Sequence, residues 1–135
     1  MKEVVFKPDP SKPNQVLVFG SNLRGAHGKG AALDAKINWG ARNGVGSGMT
    51  GRSYAIPTKD RHLNVIELGV IQLYVSVFIY FAKSRPDLEF LVTRIGCGLA
   101  GYRDEQISPM FKDAPENCVL PDGWRPLQPT THLLV

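Results

Sequence analysis

Three compact β-rich runs punctuate this chain, and each borders a cluster of glycines. The first, Gln15–Phe19 (QVLVF), ends directly at Gly20 and leads into GSNLRGAHGK, a segment with three glycines and few apolar residues. The second, Arg52–Pro57 (RSYAIP), follows GARNGVGSGMTG at Gly40–Gly51. The third, Glu89–Ile95 (EFLVTRI), runs into GCGLAGY at Gly96–Tyr102. Short apolar runs bounded by turn residues read as buried strands. A segment as glycine-dense as Gly40–Gly51 cannot be a regular helix, because each glycine costs about 1 kcal/mol there relative to alanine.

Helical patterns lie between the strands. Gly30–Trp39 (GAALDAKINW) predicts a short helix opened by the first glycine loop. Val65–Lys83 predicts a longer helix. Ile71, Tyr74, Val75, Phe78 and Ala82 form one apolar face, and Val70, Leu73, Val77 and Tyr80 widen it, so the helix is expected to pack between other elements. Another short helix is expected near Asp104–Phe111, and further strands at Val4–Phe6 and Cys118–Leu120. Pro8 to Pro13 reads as a surface loop, and the end, with Pro121, Pro126 and Pro129, as turn-rich. Strands alternating with helices predict a single α/β domain with a central sheet flanked by helices, and 135 residues suit one domain.

A strand, a glycine loop and a helix start in that order converge backbone N–H groups on one point, where the helix dipole favours negative charge. In open α/β sheets ligands sit beyond the carboxyl ends of parallel strands. The loops after Gln15–Phe19 and Glu89–Ile95 are therefore expected to meet at one edge and to grip a pyrophosphate-containing compound. The formal net charge of +4 suits an anionic ligand but lacks the dense basic stripe of a nucleic-acid binder. GSNLRGAHGKGAA fits neither GxxxxGK[ST] nor GxGxxG well.

Cys97 and Cys118 form no CxxC pair, and no His/Cys cluster has metal-ligand spacing, so neither metal nor cofactor is expected. The most apolar stretch, Val70–Ala82, is shorter than the roughly 20 residues that span a bilayer. Mixed charges at Met1–Asp9 do not resemble a signal peptide. A cytoplasmic protein with reduced thiols is expected.

The order VLVFGSN, GAHGKGAA, GVGSGMTGRSYAIPT and FLVTRIGCGLAGY resembles the macrodomain family, and is similar to its short bacterial and phage forms. The resemblance covers Val16 to Tyr102, and LVTRIGCGLAGY is its most specific piece. It implies a three-layer fold with a mixed sheet and binding of ADP-ribose or a relative, in some members with hydrolysis of an ADP-ribosyl bond. By position, Asn22, with Gly20 and Ser21 beside it, would face the distal ribose. Gly28, Gly30 and Ala31 would lie along the phosphates through their amides. Gly96, Cys97, Gly98, Leu99, Ala100 and Gly101 would form the opposite wall, and Tyr102 would pack against the ribose. Asn22, His27 and Asp34 are the candidates for catalysis, should water be activated. Asp9 is the nearest candidate for an adenine-binding carboxylate. GAHGKG stands where the family carries three or four consecutive glycines.

Three readings follow: a binding module for ADP-ribose-type nucleotides, a hydrolase of their derivatives, or a protein–protein adaptor that keeps the fold without the pocket. Local chemistry offers plainer roles for single residues. Asn22 can cap a turn, His27 can tie its loop to itself, and Asp34 can be an exposed helix residue. Cys97 reads as a small packing residue beside the phosphates. Lys59 and Arg103 could reach phosphates, and Trp39 and Trp124 read as packing residues.

Overall fold

The computed structural model describes residues 7–125, so the expected strand at Val4–Phe6 and the prolines at 126 and 129 lie outside the described residues. The chain forms β1 (Gln15–Asn22), α1 (Gly30–Asn38), β2 (Gly48–Thr50), β3 (Ser53–Lys59), α2 (Leu68–Ser84), β4 (Glu89–Val92), α3 (Asp104–Ile107) and β5 (Cys118–Val119). A 3-10 turn, Ser108–Phe111, continues α3. The five strands make one mixed sheet in the order β2-β3-β1-β4-β5, with β2 antiparallel and the other pairings parallel.

The central strands are apolar on both faces because helices cover both. Alternation along β1 sends Val16 and Val18 to one side and Leu17 and Phe19 to the other. Leu17 and Phe19 meet Ala32, Ala35 and Trp39 around α1. Val16 and Val18 join Ile71, Val75 and Phe78 of α2, and Ile107 and Phe111 beyond it. The result is a three-layer α/β architecture: α1, the mixed sheet, then α2 with α3. Phe78 ties the second layer together, its ring lying 5.0 Å from Tyr54, 5.3 Å from Phe90 and 6.3 Å from Phe111, centre to centre.

Several boundaries differ from the sequence expectation. β1 runs on through Gly20, Ser21 and Asn22, held by β3 up to the register shift between Ser21 and Asn22. Conversely, β4 stops at Val92, and Thr93 bends away with its amide and hydroxyl both donating to the Val18 carbonyl. The glycine-dense segment contains β2, an edge strand. Among the described residues no helix is long and apolar enough to cross a membrane.

The greatest departure concerns α2. It is not packed between other elements: its inner face is buried, but Val70, Leu73, Val77 and Tyr80 are solvent-exposed.

Candidate functional site

The sheet order places a topological switch at β1. After β1 the chain turns to α1 on one face, whereas after the neighbouring parallel strand β4 it turns to α3 on the other. Two loops that leave adjacent strand ends in opposite directions open a crevice between them, where ligands bind in such sheets. A cleft of about 370 Å³ lies there.

Both glycine loops line it. Gly20, Ser21 and Asn22 of β1, then Ala26, Gly28, Lys29, Gly30, Ala31 and Ala32, form one wall. Thr93, Arg94, Ile95, Gly96, Gly98, Leu99 and Ala100 form the other, and Thr58, Lys59 and Leu63 close a third side. The walls approach closely at the floor: a Cβ on Gly20 would lie 3.5 Å from the Gly96 amide nitrogen.

The α1 wall is a helix N-terminus. Lys29 caps α1 without a side-chain hydrogen bond, and the first turn has no acidic residue. The N–H groups that open a helix lack acceptors within it, and Gly30, Ala31 and Ala32, which line the cleft, receive no side-chain cap from Lys29. In the opposite loop, Cys97 donates to Arg94, Gly101 to Gly98 and Tyr102 to Gly96, all through backbone amides. Those of Gly98, Leu99 and Ala100 take no part in this framework among the described residues. Gly96 makes the turn possible, with φ of 76°, a conformation that L side chains adopt only at a cost.

Charge follows the same direction. Lys29, Lys59 and Arg94 line the cleft, and its described lining contains no carboxylate. Arg94 is held in place by the Asp104 carboxylate and by a 3.3 Å donation to the Asp122 carbonyl. Burial pushes the Asp104 carboxyl up, but hydrogen bonds from Arg94 and Cys97 outweigh it and leave it below the ordinary value. Burial, reinforced by Asp104, pushes the Cys97 thiol up to about 12. Cys97 therefore stays protonated near neutral pH and serves as a donor, not a nucleophile. Its alkylation by iodoacetamide at pH 8 is expected to run on the order of 100- to 1,000-fold slower than that of an unperturbed thiol, because the thiolate fraction falls tenfold per unit. Peptide mapping of the time course measures this, and a rate near that of free cysteine would show that Cys97 is ionised.

The candidate catalytic residues do not converge. Asn22 lines the cleft, but its side chain closes its own loop, donating to the Ala26 carbonyl at 2.9 Å and accepting from the Ala26 amide at 3.0 Å. His27, 2% exposed, is absent from the cleft lining. Its Nε2 lies 2.9 Å from the Arg42 carbonyl and 3.1 Å from that of Val45. Two carbonyl acceptors require a proton on Nε2, so His27 is a latch between the first two glycine segments, seated edge-on against Phe19. Asp34 accepts from Asn38 at 2.6 Å, one turn along α1, and does not line the cleft.

Tyr102 also departs from its expected place. Its hydroxyl donates to the Ile66 carbonyl at 2.6 Å and its ring packs against the core, so it braces the loop from behind. Cys97 and Gly101 likewise lie outside the lining. Asp9 accepts from the amide and hydroxyl of Ser11 in a local turn and is not part of the cleft. Arg103 pairs with Glu105. Trp39 and Trp124 are buried packing residues.

Sequence reasoning passed over Thr58, Leu63, Thr93 and Arg94 as site residues. Arg94 and Thr93 sit inside the run read as strand, and only its early termination at Val92 turns them toward the cleft. Leu63 stands at φ 66° in the Asp60–Asn64 turn, a position that normally takes glycine, so no local signal marks it.

Comparison of the chain with protein-family models, curated proteins and solved structures finds no match to any of them.

Proposed function

We propose that the cleft binds a nucleotide carrying a diphosphate, of the ADP-ribose class. One observation carries this reading: two glycine loops, one of them opening α1, line the same cleft, with Lys29, Lys59 and Arg94 around them and no described carboxylate in the lining. Glycines on both walls let the backbone approach a diphosphate closely, and a helix N-terminus favours its charge. The resemblance of VLVFGSN and LVTRIGCGLAGY to macrodomain segments supports ADP-ribose over other diphosphates. Two free thiols, Cys97 and Cys118, suit a cytoplasmic setting.

Binding has more support than hydrolysis. His27 is spent on carbonyls outside the cleft, Asp34 on Asn38 and the Asn22 side chain on its own loop. Hydrolysis would then rely on a phosphate oxygen of the substrate itself to activate water.

Titration calorimetry with ADP-ribose and NAD tests the reading, using wild type and Gly28→Val. Gly28 lines the cleft, and a Cβ there would meet no atom within 4 Å, so the variant is expected to fold with unchanged thermal stability. Its side chain would occupy space the ligand needs. Wild type is expected to bind ADP-ribose with micromolar affinity, and Gly28→Val at least about tenfold more weakly, roughly 1.4 kcal/mol. No heat from wild type across the panel would discard the nucleotide and leave the adaptor.

A further inference from the structure

The outer face of α2 carries apolar residues where a solvated helix carries polar ones. Val70, Leu73, Val77 and Tyr80 are 40%, 65%, 59% and 78% exposed. Their spacing of three, four and three is that of the a and d positions of a coiled-coil seam. The only charged residue within α2 is Lys83, in its last turn. The four side chains occupy about 15 Å of helix and expose roughly 400 Å², as much as the largest apolar patch of an ordinary monomer.

The stripe reads alike in both directions. A two-fold axis opposite residue 75 sets Val70 against Tyr80 of a second copy, and Leu73 against Val77 of that copy. The same operation brings the exposed N-cap residue Glu67 to the end where the second copy's Lys83 lies. Parallel pairing would instead bring the two Lys83 residues to one end. Self-complementarity about one axis is what a two-fold dimer requires.

We propose that α2 is the contact between two copies of this chain, paired antiparallel along Val70, Leu73, Val77 and Tyr80. With the flanking Gly69, Tyr74, Ser76 and Phe81, two copies would bury about 1,000 Å² in total, the lower limit for a specific interface. A dimer dissociating in the micromolar range is expected. No residue of α2 lines the cleft between β1 and β4, so dimerisation leaves that cleft open.

Sedimentation velocity of the full chain from about 1 to about 200 µM tests this, a range that brackets micromolar dissociation. Wild type is expected to pass from monomer to dimer across the range. Leu73→Glu, at an exposed position, is expected to remain monomeric with an unchanged circular dichroism spectrum and, at about 1 µM where wild type is monomeric too, an unchanged melting temperature. The double variant Leu73→Glu/Val77→Lys sets each new acid against the second copy's new base and is expected to regain association. A wild type that is monomeric at the highest concentration overturns the proposal, whether another segment or solvent covers the stripe. So does a dimer that survives Leu73→Glu. Loss of the dimer without recovery in the double variant overturns the antiparallel register.

Discussion

Gly46→Ala is expected to destabilise the protein by about 3 kcal/mol and to deform the cleft. Gly46 passes against the end of β1: a Cβ there would overlap the Asn22 carbonyl and stand 3.0 Å from the Leu23 Cα. Both neighbours are backbone, so no side chain can swing aside. The Gly46 carbonyl also accepts from the buried Ser21 hydroxyl, which ties the second glycine segment to the cleft-lining end of β1. Relief of the overlap must therefore move either β1 or the segment latched by His27. Urea denaturation of Gly46→Ala beside Gly28→Val separates the two roles of glycine. Gly46→Ala is expected to lose stability and, at temperatures where it remains folded, ADP-ribose affinity. Gly28→Val is expected to lose affinity alone. A Gly46→Ala protein with wild-type stability would show that this close approach is absent in solution.

Phe78→Ala is expected to cost about 3–5 kcal/mol, the range for deleting a fully buried aromatic ring. That is a large share of the roughly 5–15 kcal/mol that holds an ordinary domain together. Phe78 is completely buried, and its ring touches Tyr54 of β3, Phe90 of β4 and Phe111 of the 3-10 turn. Its removal leaves a cavity shared by elements from three parts of the chain, so none can close it alone. The urea midpoint should fall with an unchanged denaturant slope, the mark of altered stability without altered compactness. Phe78→Leu, which retains much of the volume, should lose a smaller part. A Phe78→Ala loss below about 1 kcal/mol would mean that the layer repacks freely, against the density of protein interiors.

The core strands and long helix were legible because their signals are local. Gln15–Phe19 and Glu89–Ile95 combine β-branched or aromatic residues with an abrupt glycine end, and α2 has a clear apolar face. The two cleft-lining glycine loops were legible for the same reason. The roles of individual side chains were less so. His27 sits in a glycine-flanked loop that suggests a reactive group, yet its direction is set by the Arg42 and Val45 carbonyls, 15 and 18 residues away. Tyr102 ends a loop that suggests a stacking ring, yet its hydroxyl is claimed by Ile66, 36 residues earlier. Arg94 was hidden inside an apparent strand because the ladder that fails there depends on neighbouring strands.

Residue order alone determined the alternation of strands and helices, the glycine-rich ends of β1 and β4, and the mild positive charge, since each depends on neighbours a few positions apart. The meeting of two glycine loops at one cleft, the withdrawal of His27 and Asp34 from it, and the uncovered stripe on α2 were decided by tertiary structure. Those features depend on which strands lie side by side and which face each connection crosses, and only packing of the whole sheet settles that.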